Sequence, residues 1–211
     1  DWSSDVCSSD LEDWSSGMRD SRDYLFMMMD ELVKLPIKRF LLPDTLGILN
    51  PLQCVEYMRQ MVRRYPNSHF DFHAHNDYDL AVSNSLAAVL SGAKGLHVTV
   101  NGLGERCGNA PLASVQVILK DMFEAKTNIK EDRLNDISRL VEGYSGIAVA
   151  PNTPVVGDNV FTQVAGVHAD GDNKDKLYCN DLVPERFGRH REYALGKNSG
   201  KANIVQNLNE L

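Results

Sequence analysis

No apolar run in this chain of 211 residues approaches the roughly 20 residues that a bilayer-spanning helix requires. FLLPD and LAAVL are typical of the runs it has. Basic runs and polybasic helices are missing too: 22 Lys and Arg stand against 29 Asp and Glu, interspersed along the chain, for a net charge of −7. That balance argues against a nucleic-acid partner and against docking on a membrane surface. Cysteine is sparse. Cys7, Cys54, Cys107 and Cys179 lie far apart with no C-x-x-C, which argues against a disulfide framework and a zinc ribbon alike. Reduced thiols in a cytoplasmic protein are therefore expected. The polar, acidic start has no apolar core of a signal peptide, so none is expected.

What is present is ordinary globular composition, 43% hydrophobic and 24% charged. The first eleven residues, DWSSDVCSSDL, stand apart. They are rich in Ser and Asp, lack periodicity and resemble translated sequencing adapter. We set 1–11 aside as a non-native segment expected to pack against nothing specific; a native disordered tail is the other reading. From Glu12 a rhythm sets in. Residues 20–34, 50–64, 78–91 and 111–125 have helical spacing, and 131–143 reads as one more helix. Strands are predicted near 10–14, 38–43, 69–74 and 95–100. Strand starts recur about every 30 residues, the length of one βα unit, and alternation of this kind implies a parallel sheet. The rhythm stops near 126. We divide the chain into a barrel-like part over 12–126 and a polar, mainly helical part over 127–211.

Four constellations carry chemistry. In HFDFHAH (69–75), alternation puts Phe70, Phe72 and Ala74 on one face and Asp71, His73 and His75 on the other. Apolar toward helices and polar toward an axis is the pattern of a barrel strand. Two histidines at i and i+2 can share one metal ion; polar filling of a barrel is the competing reading. NGLGERCGN (101–109) places three glycines where backbone can approach a ligand, with Glu105 and Arg106 at a strand end and Asn101 and Asn109 offering amide oxygens. A Gly-rich turn with a structural Glu–Arg pair is the alternative, and the Lys-Ser/Thr ending of a phosphate-binding loop is absent. LPDTLG (42–47) brings Thr45 to a strand end, where a turn capped by Asp44 is the simpler reading. GVHADGDNKDKLY (166–178) gathers His168, Asp170, Lys174 and Tyr178, a proton shuttle or a solvated loop.

Taken in order, LPDT, HAHND, NGLGERCGN and GVHADG resemble the isopropylmalate, citramalate and homocitrate synthase family of metal-dependent TIM-barrel acyltransferases, over Glu12 to about Ile204. FDFHAHNDYDLAVSN, GVHADGDNK and PERFGR look closest to the isopropylmalate/citramalate branch. The resemblance implies an α/β fold: the C-terminal half of a TIM (β/α)8 barrel followed by a mixed, mainly helical linker subdomain. It implies metal ligands at His73, His75 and Asn109. Thr45 matches the threonine that holds the 2-oxo acid carboxylate, and Asn101, Glu105 and Arg106 belong to the same substrate-binding end. Glu12 matches an acid after the fifth barrel strand. His168, Asp170 and Tyr178 match linker residues that complete the catalytic site, usually across a homodimer.

Two departures accompany the likeness. No Arg-Asp-Gly motif, the source of the family's metal-binding aspartate, precedes Glu12, so half a barrel is expected. Lys176 sits where citramalate-type enzymes tend to carry asparagine. The implied activity is a Claisen-type condensation of acetyl-CoA, as co-substrate, with a 2-oxo acid on Mg²⁺, Mn²⁺ or Zn²⁺. 3-Methyl-2-oxobutanoate, giving 2-isopropylmalate for leucine biosynthesis, is the first expectation and pyruvate, giving citramalate, the second. A retro-Claisen lyase and an inactive binding module are the rival readings. The isolated half-barrel is expected to be inactive and to self-associate through its open edges.

Overall fold

The computed structural model describes residues 8–164, 171, 179–197 and 199–209. His168, Asp170, Lys174, Lys176 and Tyr178 lie outside the described residues. Four parallel strands form one sheet in sequence order: β1 (Ser8–Asp10), β2 (Arg39–Asp44), β3 (His69–Ala74) and β4 (Gly95–His97). Helices α1 (Trp14–Asp20) and α2 (Arg22–Leu32) follow β1. Then α3 (Pro51–Arg64) follows β2, α4 (Ala81–Leu90) follows β3, and α5 (Leu112–Phe123) follows β4. Consecutive parallel neighbours joined by helices make four βα units, half of a TIM barrel. The chain divides into two compact units between Val115 and Gln116, inside α5.

The segment set aside at the N-terminus is partly built into this sheet. Ser8, Ser9 and Asp10 pair with Arg39, Phe40 and Leu41, and the Leu11 amide donates to the Leu41 carbonyl at 3.0 Å. Leu11 is buried. The expectation of no specific packing thus fails for residues 8–11, and the strand sits earlier than the predicted 10–14. A three-residue strand is too short to show period-2 alternation, which is why the sequence carries no signal of it. The predicted 20–34 helix is instead two helices broken at Ser21, whose φ of −146° is not helical. β4 also ends sooner than expected, at His97, because Val100–Gly102 turns into a 3-10 helix.

Packing of the first unit follows from the strand alternation. Phe40 and Leu42 of β2 and Phe70, Phe72 and Ala74 of β3 share the face that is buried. Trp14 of α1 meets Phe72 and Tyr57 edge-to-face at 6.3 and 6.4 Å, and Met18, Met58 and Met61 are fully buried. Helix α3 begins where a capping box says it should. The Asn50 side chain accepts from the Gln53 amide at 2.9 Å, the Gln53 side chain accepts from the Asn50 amide at 3.1 Å, and Pro51 occupies the first turn. Its buried positions, Cys54, Tyr57, Met58 and Met61, recur at helical spacing.

The second unit is organised around Arg186. Its guanidinium donates to Asp121 at 2.9 Å, to Glu131 at 3.0 and 3.2 Å, and to the Asp181 carbonyl at 2.6 Å. Lys120 adds a bond to Glu131 at 2.7 Å. Burial alone pushes the Glu131 carboxyl upward, but the bonds from Arg186 and Lys120 prevail and hold it below the usual range. The unit also contains α6 (Leu134–Ser145), a short parallel pair of β5 (Thr162–Gln163) and β6 (Glu192–Tyr193), and α7 (Lys201–Asn209). Phe161 stacks on Phe187 with centroids 5.7 Å apart. Among the described residues no helix is long and apolar enough to cross a membrane.

Leu11→Ala removes a buried side chain at the β1 end of the core, and we expect it to lower stability by about 2–3 kcal/mol. Urea denaturation followed by circular dichroism measures this. A change below about 0.5 kcal/mol, the size expected of a surface position, would mean that β1 is not part of the folded sheet.

Candidate active site

The register of the sheet decides what meets what. His73 lies beside Pro43 on one side and His97 on the other; Asp71 lies between Leu41 and Gly95. The face opposite the helices therefore carries Arg39, His69, Asp71, His73 and His97. Two layers result. Deeper along the strands, the buried Asp71 carboxylate accepts from Arg39 at 2.6 and 2.8 Å and from His69 at 2.9 Å, with His97 Nε2 3.8 Å away. Nearer the C-terminal ends, His73 Nε2 stands 3.3 Å from His75 Nε2, and the His73 ring lies 6.1 Å from that of His97.

The loops after β2, β3 and β4 close around this second layer. His75 forms an isolated antiparallel bridge with Asn109, the Asn76 amide donates to the Gly108 carbonyl at 2.9 Å, and the His75 amide reaches the Asp44 carbonyl at 3.3 Å. Thr45, His73, His75 and Asn109 thus converge at one end of the sheet. Asn109 Nδ2 donates to the Leu103 carbonyl at 3.0 Å, which fixes the amide and leaves Oδ1 buried without a protein partner. His75 Nδ1 is likewise buried and unpartnered. A Cβ on Gly104 would fall 2.2 Å from Asn109 Nδ2, so only glycine lets the loop come this close.

Electrostatics favour the neutral form of His73. Burial lowers the His73 pKa first, and the neighbouring His75 and His97 lower it further against the opposing charge of Glu12. Neutral imidazoles have the lone pairs that a metal ion takes. Two imidazoles, an orphaned amide oxygen and no thiolate form a donor set that fits a borderline or hard divalent cation. Among the described residues no cluster of three or more His, Cys, Asp or Glu side chains closes on one point.

The other expected site residues fall as follows. Glu12 is exposed in the turn after β1. Thr45 is half-buried; its Oγ1 accepts from the Asp13 amide at 3.0 Å, which leaves the hydroxyl proton to be donated elsewhere. Asn101 is half-buried in the 3-10 turn with φ of 59°. Glu105 is exposed, 3.5 Å from Arg106 Nη1. Arg106 is held by Asp77 and by the Thr45 carbonyl. Sequence reasoning passed over His97 and Asp77. Period-2 counting through GLHVTV would have put His97 opposite His73, whereas nothing in HND marks Asp77 as the partner of a residue 29 positions away. Asp44 is the turn-holder that its simpler reading implied: its carboxylate accepts from the Ile48 and Leu49 amides at 3.0 and 3.1 Å.

A half-barrel bearing an imidazole pair at the C-terminal mouth of its strands defines a class of TIM-barrel protein. A family model for HMGL-like domains matches residues 7–141, and the chain belongs to that family. A Methanopyrus kandleri protein named a candidate (R)-citramalate synthase is 37% identical over 198 residues, covering 92% of this chain and 38% of the relative. A probable 2-isopropylmalate synthase of the same organism is 38% identical, with 92% and 38% covered. A homocitrate synthase of Saccharolobus islandicus is 42% identical, with 88% and 40% covered. The chain thus spans about two fifths of the length of these curated relatives. Among solved structures, an HMG-CoA lyase from Acinetobacter baumannii with coenzyme A and 3-methylmalate superposes with a TM-score of 0.54 at 27% identity, covering 61% of this chain and 44% of that one. Hydroxymethylglutaryl-CoA lyase of Pseudomonas aeruginosa, at 20% identity and a TM-score of 0.56, shares the fold over 63% of this chain and 45% of its own.

The charge environment of the pair is open to titration. In the metal-free chain, the His73 imidazole should titrate below the ordinary 6.5, and His75→Ala should move its midpoint upward. NMR of the imidazole protons against pH reads both. A midpoint at or above 6.5 would contradict the burial and crowding described.

Proposed function

We propose that this chain supplies the metal-binding half of the active site of a Claisen-type acyltransferase, one that joins acetyl-CoA to a 2-oxo acid. The observation that carries the proposal is the convergence of His73, His75 and the orphaned Asn109 oxygen at the C-terminal mouth of the sheet. Resemblance to synthases at 37–42% identity favours condensation over cleavage. In this reading His73, His75 and Asn109 hold a divalent cation. When bound, the cation acts as a Lewis acid toward the oxygens of the 2-oxo acid.

The remaining work belongs to side chains. The Thr45 hydroxyl, held as an acceptor by the Asp13 amide, has its proton available for the substrate carboxylate. Glu12 stands at the end of β1 on the side that His73 senses electrostatically. Condensation removes a proton from the acetyl methyl and forms a carbon–carbon bond to the ketone carbon. Thioester hydrolysis then releases CoA. His168, with Asp170 and Tyr178, is the candidate for proton transfer. 3-Methyl-2-oxobutanoate is the proposed acceptor and pyruvate the second, in a cytoplasmic enzyme of leucine or branched-chain amino-acid synthesis.

The test replaces the matching segment of a citramalate synthase with residues 12–211 and follows CoA release with a thiol reagent. The assay supplies acetyl-CoA, Mg²⁺ or Mn²⁺, and 3-methyl-2-oxobutanoate, pyruvate or a 2-oxo dicarboxylic acid in turn. We expect turnover with at least one 2-oxo acid and a loss of about 100-fold or more in His75→Ala, the scale of removing a group that stabilises developing charge. A soluble, folded chimera inert toward every 2-oxo acid, yet cleaving a 3-hydroxy-3-methyl acyl-CoA, would assign the site to a lyase instead.

A further inference from the structure

The loops after β2, β3 and β4 come from three separate βα units, and one side chain reaches all three. Arg106, in the β4 loop, donates from Nε to Asp77 Oδ1 at 2.7 Å and from Nη2 to Asp77 Oδ2 at 2.9 Å, a bidentate pair with the β3 loop. The same Nη2 donates to the Thr45 carbonyl in the β2 loop at 2.7 Å. Nη1 lies 3.5 Å from Glu105, its own neighbour. The backbone is shaped for this contact. Arg106 adopts φ of 54°, a left-handed conformation uncommon for a side-chain-bearing residue. Opposite it, Gly47 has φ of 60°, and a Cβ there would lie 2.8 Å from Asp77 Oδ2 and 3.0 Å from the Asp77 amide.

Arg106 was expected to bind substrate, and a free guanidinium in such a mouth would suit a carboxylate. This one is neutralised by Asp77 and has three of its five donors committed to protein. We propose that Arg106 is a positioning residue, a clasp that locks the Thr45 loop and the His75–Asp77 segment against the NGLGERCGN loop. The anionic end of the substrate is then recognised by other groups. Thr45 is held at both ends, its carbonyl by Arg106 and its hydroxyl by the Asp13 amide, so its orientation depends on the clasp. Asp77 lies two residues beyond His75, so the clasp also fixes the end of β3. The clasp rests on geometry alone; its service to catalysis rests on the function proposed above.

The experiment is amide hydrogen exchange on the metal-free chain, which needs no turnover and so separates failure of the clasp from failure of the proposed activity. Gly47, Asn76 and Gly108 report on the three loops, since their amides bond to Asp44, Gly108 and Glu105 carbonyls. Arg106→Gln and Asp77→Asn should each speed exchange at these amides by about tenfold, with the double variant no faster than either, because local opening is limited by the shared contact. Each should also shift the His75 imidazole resonances, a change that a contact serving only overall stability would not produce. Arg106→Lys keeps the charge but cannot make the fork, so it should exchange nearly as fast as Arg106→Gln. It also carries the test if Arg106→Gln fails to fold. Additive effects of the two substitutions, full protection in Arg106→Lys, or unchanged exchange with an unmoved His75 resonance would each overturn the clasp.

Discussion

The parallel register of β3 between β2 and β4 is the constraint on which the rest of the first unit depends. With Phe40 set beside Phe70 and Leu42 beside Phe72, every odd position of β3 is turned away from the helices. Asp71 and His73 follow from that alternation, and His97 joins them because β4 pairs in step. A slip of one residue would send the imidazoles into the aromatic core and the phenyl rings to the mouth. The aromatic contacts of Trp14 and the buried methionines make that slip costly, so packing on the outer face fixes chemistry on the inner one. Site and core are two sides of one strand.

The inner face is itself layered. Asp71 gathers Arg39 and His69 deep in the half-barrel, where a buried carboxylate must be paired. One step toward the mouth there is no such pairing: His73 and His75 face each other ring nitrogen to ring nitrogen, and Asn109 Oδ1 is buried without a partner. Buried polar atoms without partners are uncommon in folded proteins. This chain has others, Trp14 Nε1 and Asn84 Oδ1 among them, and what sets His75 Nδ1 and Asn109 Oδ1 apart is that their residues are bridged to each other at the mouth of the strands. The loops that carry those atoms are bound to one another by main-chain bonds between Asn76 and Gly108 and by Arg106, so the donors sit on a framework rather than on free loops.

Much of this arrangement is legible in local sequence pattern. HFDFHAH alternates so strongly that the faces of β3 can be assigned residue by residue, and the 30-residue spacing of strand starts reveals the βα rhythm. The Asn50, Pro51, Gln53 signature marks the start of α3. What the sequence hides is short or long-range. β1 has three residues and no period, and its evidence is Leu11 buried against a strand 30 positions away. The break at Ser21 carries no proline or glycine to announce it. Arg106 reads as a substrate ligand because a charged residue at a strand end usually faces solvent or substrate, while its partner Asp77 lies in another βα unit. Ion pairs between loops depend on where whole units come to rest, which local pattern does not encode.

The central claim is that His73, His75 and Asn109 form one divalent-metal site, and paramagnetic titration tests it most directly. Substoichiometric Mn²⁺ added to the chain, observed by NMR, should broaden the side-chain resonances of these three residues first and those of His69 in the deeper layer later. His75→Ala should abolish the selectivity. Broadening that spreads evenly over exposed carboxylates, or that survives unchanged in His75→Ala, would contradict the account.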